Sequence, residues 1–307
     1  MEREILKLTN DLVFKQFFTY NNDYSLLNEF VSLVIGRKLE DIQVINPEIN
    51  DEDLAGKQIV MDLRIRTSDS LVNVEMQSYS QSDYIDRSLL YSTRHFTNNN
   101  LKCGDGYIKL SPAYTINILK HKLFSCSEYK SEFEFKECSR NENLSDKLKI
   151  FFLELSKVSK DQIDKEIISN PSKNCDKLLL WMLLFKCEKK GDLDMFYTTN
   201  YLTMHNAANR LETISEDETT RIKAEMREKA QADYASAMAN QRAEGREEGR
   251  KEGREEGREE GEALGAMLMA SKLCHSKKEL LEAVEYTEQE CNTFFNQHPE
   301  IKPSYWD

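Results

Sequence analysis

Paired cysteines and clustered histidines are the first things this sequence lacks. Its seven cysteines are odd in number, and no two of them form a C-x-x-C motif. They lie at Cys103, Cys126, Cys138, Cys175, Cys187, Cys274 and Cys291. The five histidines include no H-E-x-x-H motif. This pattern excludes a disulfide framework and a zinc site of known spacing, and scattered free thiols are typical of a reducing cytoplasm.

Long hydrophobic runs are also missing. The first ten residues, MEREILKLTN, are charged and lack the apolar segment of a signal peptide. No run of 18 apolar residues follows, so we expect neither a secretory signal nor a transmembrane helix. These absences predict a cytoplasmic protein without a membrane partner.

Positive charge is in short supply. The 307 residues carry 42 Lys and Arg against 54 Asp and Glu, a net charge of -12, and 39% of them are hydrophobic. This balance predicts a globular part joined to a solvated, charged part. An acidic chain can still bind DNA if its cations cluster locally, and such binding is strongly salt-sensitive.

The clearest pattern that is present is a pair of alternating strands over residues 58–77, QIVMDLRIRTSDSLVNVEMQ. Apolar residues share one face of each strand, whereas Asp62 and Glu75 lie on the polar face. A two-residue loop at Ser68 and Asp69 fixes the register of the hairpin. That register pairs Ile65 with Val72, Leu63 with Val74, and Asp62 with Glu75.

The two opposed carboxylates permit two interpretations. Like charges on directly opposed residues repel each other, and a divalent cation between Asp62 and Glu75 would turn that repulsion into a binding site. Mg²⁺ takes oxygen ligands and is typically held by one or two carboxylates. In this hypothesis both acids project from a side of the sheet that is not used for packing. The alternative is a solvated outer face that carries the acids incidentally.

Two helices are predicted before the hairpin. Residues 9–20 predict a helix that is capped by Thr9 or Asn10. Asp11 and Lys15 lie one turn apart on it, and their spacing alone favours an ordinary surface ion pair. Residues 24–35 predict a second helix that ends at Gly36.

A third helix is predicted after the hairpin, over residues 82–98. Three apolar residues mark its expected inner side: Ile85, Leu89 and Phe96. Arg87, Tyr91 and Arg94 recur at helical spacing on another side. Such a stripe could contact a phosphate backbone, or it could be a solvated face. A buried strand is then predicted over residues 114–119.

The remaining chain is predicted to be helical. Apolar spacing favours helices over residues 144–158, 175–188 and 192–211, with Trp181 in the core. Glycines then recur every fourth residue from Gly245 to Gly265 within a charged, helix-prone segment. This repeat permits close contact between helices of an oligomer or a charged spacer, and we favour a partly helical spacer that can self-associate. The tail after residue 263 predicts a small two-helix module.

The ordered motifs TNDLVFKQFF, IVMDLRIRT, VNVEMQ, DRSLLYSTR and GDGYIKLSPAYTINIL cover the first 125 residues. In this order and at this spacing, they resemble the recombination-promoting nuclease (Rpn) and transposase family of the PD-(D/E)XK nuclease superfamily. The resemblance implies an α/β fold, a mixed sheet flanked by helices. We expect an all-α C-terminal extension with a long charged helix to follow it.

The resemblance also implies a site. Asp62 and Glu75 would hold Mg²⁺, and Gln77 would occupy the position where the superfamily often has lysine. Glutamine is neutral, so it can orient a water or a phosphate oxygen but cannot supply the charge. Supporting roles are expected for Asp11 near the metal and for Lys15 or Arg87 as the missing cation. Tyr91 accompanies Arg87 on the same helical stripe.

The expected organisation has four parts: a nuclease-like domain over residues 1–125, a helical extension over 126–215, a charged glycine-repeat helix or linker over 216–262 and a helical module over 263–307. Two functions fit it. One is a Mg²⁺-dependent DNA endonuclease linked to recombination, transposition or defence. The other is an inactive nuclease-fold scaffold that binds DNA or protein. In either case the C-terminal helices are expected to form a homo-oligomer.

Overall fold

The computed structural model describes residues 4–45, 48–49, 59–60, 63–79, 83–97, 106–159, 174–284 and 286–306. The chain divides into two compact units, Met1–Ala232 and Asp233–Asp307. Among the described helices, none has both the length and the apolar surface needed to cross a bilayer.

The first unit contains a mixed six-stranded sheet with the order β1-β4-β5-β6-β8-β7. Its strands are β1 Gln43–Ile45, β4 Leu63–Arg66, β5 Leu71–Gln77, β6 Ala113–Leu119, β7 Lys130–Lys136 and β8 Asn143–Glu154. Strands β5, β6 and β8 run parallel in the centre, and β1, β4 and β7 join antiparallel at the edges. A separate ribbon pairs β2 Glu48–Ile49 with β3 Ile59–Val60.

The hairpin register predicted from the sequence is confirmed for its described residues. Ile65 lies opposite Val72, and Leu63 lies opposite Val74. The turn closes through a hydrogen bond of 2.9 Å from the Thr67 amide to the Ser70 carbonyl. Asp62 lies outside the described residues, so its pairing with Glu75 stays a prediction.

Helices α1 Asp11–Thr19 and α2 Ser25–Ile35 begin and end close to the predicted positions. Asn10 is the N-cap of α1, because its side-chain oxygen accepts from the Leu12 amide at 3.1 Å and the Val13 amide at 3.3 Å. Gly36 ends α2 in the left-handed region at φ 83°. Gly36 was predicted from the sequence as the end of α2, whereas the cap of α1 was left open between Thr9 and Asn10.

The main core lies on the sheet face that carries Val72, Val74 and Met76. Helices α1 and α2 pack there with α4 Asn174–Leu184 and α6 Leu202–Glu216. Trp181 of α4 is fully buried, and its ring centroid lies 5.5 Å from that of Phe30. The predicted core role of Trp181 is confirmed.

The predicted helix over residues 144–158 is wrong. Residues 143–154 form β8, which lies between β6 and β7. Phe151 and Leu153 face the main core, while Ile150 and Phe152 face the opposite side of the sheet, where helix α3 Tyr84–Thr97 packs. A strand buried on both faces is apolar at successive positions, and this pattern also suits a buried helix.

The segment after β8 returns to helix in shorter pieces. The region 192–211, predicted as one helix, contains α5 Asp194–Tyr197 and then α6. The range 126–215, predicted as a helical extension, therefore includes two strands that complete the sheet.

Helix α7 Glu218–Leu273 has 56 residues and continues through the whole glycine repeat. The second unit also holds α8 Lys277–Val284 and α9 Glu288–Gln297. Its core is small and contains Met267, Leu280, Phe295 and Trp306. The all-helical C-terminal part with a long charged helix is thus confirmed.

Candidate functional site

Glu75 of β5 lies on the sheet face that α3 covers. Its side chain is buried, with 7% of the residue exposed. The metal hypothesis placed the acids on a side that is not used for packing, and for Glu75 this is wrong. The reason is the connection between parallel strands β5 and β6, because α3 forms that crossover and packs against β5, β6 and β8.

Helix α3 covers this face with small and polar side chains. Its buried residues are Tyr84, Ser88, Ser92 and His95. Ile85 and Leu89, predicted as the inner side, are 45% and 47% exposed. The prediction failed because the underlying sheet face is itself polar, so hydroxyl groups rather than apolar side chains complement it.

Asn73 fixes the Glu75 carboxylate. It is fully buried two residues earlier on the same face of β5, and its Nδ2 donates to Glu75 Oε1 at 2.9 Å. The Oδ1 atom of Asn73 accepts no hydrogen bond from the residues that the structure describes. An amide oxygen next to a carboxylate is the type of ligand that a hard cation such as Mg²⁺ binds.

Asn117 holds α3 against the sheet. It lies beside Glu75 in the parallel register of β5 and β6. Its Oδ1 accepts from the Tyr84 hydroxyl at 2.9 Å, and its Nδ2 donates to Ser88 Oγ at 3.0 Å and to the Phe151 carbonyl at 3.2 Å. Asn117 therefore uses both ends of its amide to join α3, β6 and β8.

Arg87 and Tyr91 of α3 belong to the same region as Glu75. Arg87 Nε donates to the Tyr91 hydroxyl at 3.1 Å, and the guanidinium lies 5.2 Å from the centroid of the Tyr91 ring. Burial lowers the pKa of Arg87, but the nearby Tyr91, Glu75 and Tyr84 outweigh it, so the net pKa is raised. The predicted cation is thus electrostatically coupled to the predicted metal ligand.

Gln77 lies at the end of β5, on the same face as Glu75 and two residues beyond it. Its side-chain Nε2 donates to the Tyr79 carbonyl at 2.8 Å. Its backbone carbonyl accepts from the Lys120 amide at 3.0 Å. Ser78 follows, and its hydroxyl donates to the Thr9 carbonyl just before α1. The end of β5 is therefore tied to β6 and to the entrance of α1.

Asp11, predicted as a supporting residue, is bound by α7. Arg227 Nε donates to the two carboxylate oxygens of Asp11 at 2.8 and 3.0 Å, and Arg227 Nη2 also donates to Oδ2. Lys15 is exposed one turn further along α1. The structure thus shows an Arg227 contact for Asp11 that the spacing of Asp11 and Lys15 did not indicate.

Arg64 of β4 and His95 of α3 form a second polar group on this face of the sheet. Arg64 is opposite Asn73 in the antiparallel register of β4 and β5. Burial, and then the charge of Arg64, lowers the pKa of His95 to about 4, with a small opposing effect from the Leu71 backbone. The imidazole is therefore neutral at physiological pH.

The residues fit a divalent cation only in part. Carboxylate and amide oxygens at Glu75 and Asn73 are hard donors of the type that Mg²⁺ prefers. Across the described ranges no cluster of three or more His, Cys, Asp or Glu side chains could hold a metal ion. Asp62, the second predicted ligand, is not among the residues that this statement covers.

Sequence reasoning did not assign roles to Asn73 and Asn117. Asn117 carried a signal, because it interrupts the apolar run between Ile116 and Ile118 on a central strand. A buried amide in such a position must find partners, which marks it as a connecting residue. Asn73 was recognised only as part of the polar face.

The mixed sheet, the α3 crossover and the carboxylate of Glu75 two residues before Gln77 define an α/β domain with a polar site between α3 and the sheet. A family model described as PD-(D/E)XK nuclease family transposase matches residues 8–241. The chain belongs to this family, as its motifs indicated. No curated protein and no solved structure matches the chain significantly.

Proposed function

We propose that this protein is a Mg²⁺-dependent DNA endonuclease that acts in the cytoplasm in recombination, transposition or defence. Membership of the nuclease family supports the reaction class. The observation that carries the proposal is the Glu75 carboxylate, fixed by Asn73 and coupled to Arg87. Free thiols at cysteines 126, 138, 187, 274 and 291 are consistent with a reducing compartment.

In this proposal Asp62 and Glu75 hold the cation. Mg²⁺ held there would polarise the scissile phosphate and lower the pKa of an attacking water. Asn73 orients the Glu75 carboxylate through its 2.9 Å hydrogen bond. The protein itself positions the oxygen ligands and supplies positive charge around the phosphate.

Gln77 and Arg87 divide the role that lysine often has in this superfamily. Gln77 is neutral and orients a water or a phosphate oxygen through its amide. Arg87 provides the permanent charge, since its guanidinium remains protonated when partly buried. The electrostatic interaction between Arg87 and Glu75 supports this role.

Cleavage of supercoiled and linear DNA over a Mg²⁺ titration tests the proposal. We expect cutting that requires Mg²⁺ and falls at least about 100-fold in Glu75→Gln and Asp62→Asn proteins, since each removes one metal-binding charge. Asp86→Asn is the matched control because Asp86 is an exposed acid on α3. Wild-type rates in both ligand variants would reject these residues as the site.

Two observations support a second candidate function: the burial of Glu75 and the neutral side chain of Gln77. It is a nuclease-fold scaffold that binds DNA or protein and assembles through its C-terminal helices. Defined oligomers, together with no cleavage of any DNA form in Mg²⁺ or Mn²⁺, would favour the scaffold over the enzyme.

A further inference from the structure

A cavity of about 180 Å³ lies at the carboxyl ends of the central parallel strands. Lys120 follows the last residue of β6, and Leu155 and Ser156 follow the last residue of β8; all three line the cavity. The crevice outside the carboxyl ends of parallel strands is where open α/β sheets most often bind ligands.

Three lysines from separate parts of the chain meet in this lining. Lys7 precedes α1, Lys120 follows β6 and Lys186 follows α4. One acid, Glu188, shares the lining, and its Oε1 lies 3.8 Å from Lys7 Nζ. The cavity therefore has a net positive charge in a chain whose net charge is -12.

The side chains that line the cavity suit an anion that accepts several hydrogen bonds. Lys186 Nζ donates to the Val158 carbonyl, which fixes the ammonium, and an ammonium has three donors. Ser156 adds a hydroxyl. Leu155 and Phe185 are 2% and 1% exposed. Because these apolar side chains lower the local dielectric constant, they strengthen the attraction between an anion and the lysines.

Backbone and side-chain contacts connect the cavity to the candidate site. The Lys120 amide donates to the Gln77 carbonyl at 3.0 Å, and the Ser78 hydroxyl donates to the carbonyl of Thr9, which also lines the cavity. In the parallel register of β5 and β6, Lys120 is level with Ser78, which is three residues beyond Glu75. At about 3.3 Å per residue, Lys120 therefore lies roughly 10 Å from Glu75 along the strand direction. That length is about three 3.4 Å steps of a DNA strand.

We propose that this cavity binds a backbone phosphate of a nucleic-acid strand, a few nucleotides from the bond that is cut beside Glu75. This inference rests on the proposed function. It explains how an acidic protein holds a polyanion, because the cavity lining adds positive charge at the carboxyl ends of the strands, roughly 10 Å along them from Glu75.

Salt dependence of DNA binding tests the proposal without cleavage. A fluorescent duplex is titrated with full-length protein in chelator at several salt concentrations, and the slope of log affinity against log salt is measured. Losing one phosphate contact reduces the magnitude of the slope by about 0.9. We expect this change in Lys120→Gln and Lys7→Gln proteins. The matched control is Lys122→Gln, because Lys122 is an exposed lysine of the same segment that does not line the cavity.

Equal slopes for the Lys120→Gln and Lys122→Gln proteins, with wild-type circular dichroism for both, would overturn the assignment of the cavity to a DNA phosphate. Inorganic phosphate is the second probe. If it raises the melting temperature of the Lys122→Gln protein but not of the Lys120→Gln protein, while their DNA slopes are equal, the ligand is free phosphate and the nucleic-acid assignment is wrong.

The two proposals can fail separately. A changed slope for Lys120→Gln in a protein that never cleaves DNA supports the cavity and rejects the nuclease function. Mg²⁺-dependent cleavage that Glu75→Gln abolishes, combined with an unchanged slope for Lys120→Gln, supports the nuclease function and rejects the cavity.

Discussion

Asn73 shows how a single amide can control a carboxylate on the same strand. The residue is fully buried and donates to Glu75 Oε1 at 2.9 Å. Partners of metal ligands commonly contribute 10- to 100-fold to metal affinity or activity because they fix the direction of the ligand oxygens. In the proposed site we therefore assign Asn73 to the positioning of the Glu75 carboxylate.

An Asn73→Ala protein is expected to need more Mg²⁺ than the wild type. We expect cleavage about 10- to 100-fold slower at limiting Mg²⁺ and a higher half-saturating concentration, with partial recovery at high Mg²⁺. The measurement is a Mg²⁺ titration of plasmid cleavage. Asn209→Ala, on an exposed position of α6, is the control. An unchanged half-saturating concentration would contradict the positioning role.

His95 predicts a pH dependence of stability. Its folded pKa is about 4, against an ordinary value of 6.5. The unfolded chain therefore binds the proton more readily, so the stability due to His95 is fully present above pH 6.5 and is lost as the pH falls toward 4. At 1.36 kcal/mol per pKa unit the loss is about 3 kcal/mol.

Urea unfolding of wild-type and His95→Leu proteins between pH 7.5 and 4.5 measures this effect. We expect the wild type to lose more stability than the variant over this range, because the variant has no group to protonate at position 95. His298→Leu is the control for replacement of a histidine elsewhere in the chain. Parallel curves for wild type and His95→Leu would refute the assigned pKa.

At the scale of one element, α3 has an orientation that its hydrophobic pattern does not indicate. Ser88 is 2% exposed against the sheet, whereas Leu89 is 47% exposed. We expect Leu89→Gln to change the free energy of unfolding by less than about 0.5 kcal/mol. Ser88→Leu should destabilise the protein by about 1 to 3 kcal/mol because the larger side chain overfills a packed site.

Chemical denaturation of these two variants decides the orientation of α3. If Leu89→Gln lowers the free energy of unfolding more than Ser88→Leu does, then Leu89 lies on the buried face of α3, as the sequence predicted. The comparison needs no assumption about enzymatic activity, so it tests the fold around Glu75 by itself.

The glycine repeat of α7 gives a second test at this scale. A Cβ added at Gly253 or Gly257 meets nothing within 4 Å in the chain. We therefore expect Gly253→Ala with Gly257→Ala to raise helicity and helix stability by about 0.8 to 1.0 kcal/mol per site. Gly36→Ala is the contrasting control, because φ is 83° there and a side chain is strained.

Circular dichroism and light scattering together report the result. Higher helicity at unchanged mass supports a helical spacer. A lower mass in solution would show that the glycine line is a contact between copies of the chain, since added methyl groups would then keep the helices apart.

The elements that could be predicted from sequence were those with a distinct local signal. The hairpin register followed from alternation, Gly36 identified the end of α2 by its residue type, and the start of α1 was narrowed to Thr9 or Asn10. β8 was missed because burial on both faces removed its alternation. The orientation of α3 was missed because it depends on the polarity of the sheet beneath, including Asn117, and no window of the helix itself contains that information.

At the scale of the whole chain, the first unit extends further than the matched motifs. Residues at the start of α7 contact α1: Gln16 Nε2 donates to Thr220 Oγ1 at 2.9 Å, and Arg227 binds Asp11. The compact unit accordingly ends at Ala232. A chain shortened at Ser215 would remove these contacts, so it is a poor test of the tail alone.

A chain of residues 1–232 is expected to fold and to have a lower oligomeric state than the full chain. We propose that self-association uses the C-terminal helices, and these are absent from the shortened chain. Light scattering of both chains measures their masses, and a chain of residues 1–215 should unfold at lower urea. An identical oligomeric state for the 1–232 and full-length proteins would exclude the tail as the assembling part.

The Asn10 side chain links the beginning of the first unit to its end. While its oxygen caps α1, its Nδ2 donates to the Ala224 carbonyl at 3.0 Å, and the Leu6 amide donates to Ser215 Oγ at 2.9 Å. Both bonds span more than 200 residues. During synthesis these two contacts can therefore form only after more than 200 further residues have been made, so the first unit is complete only once the start of α7 has emerged.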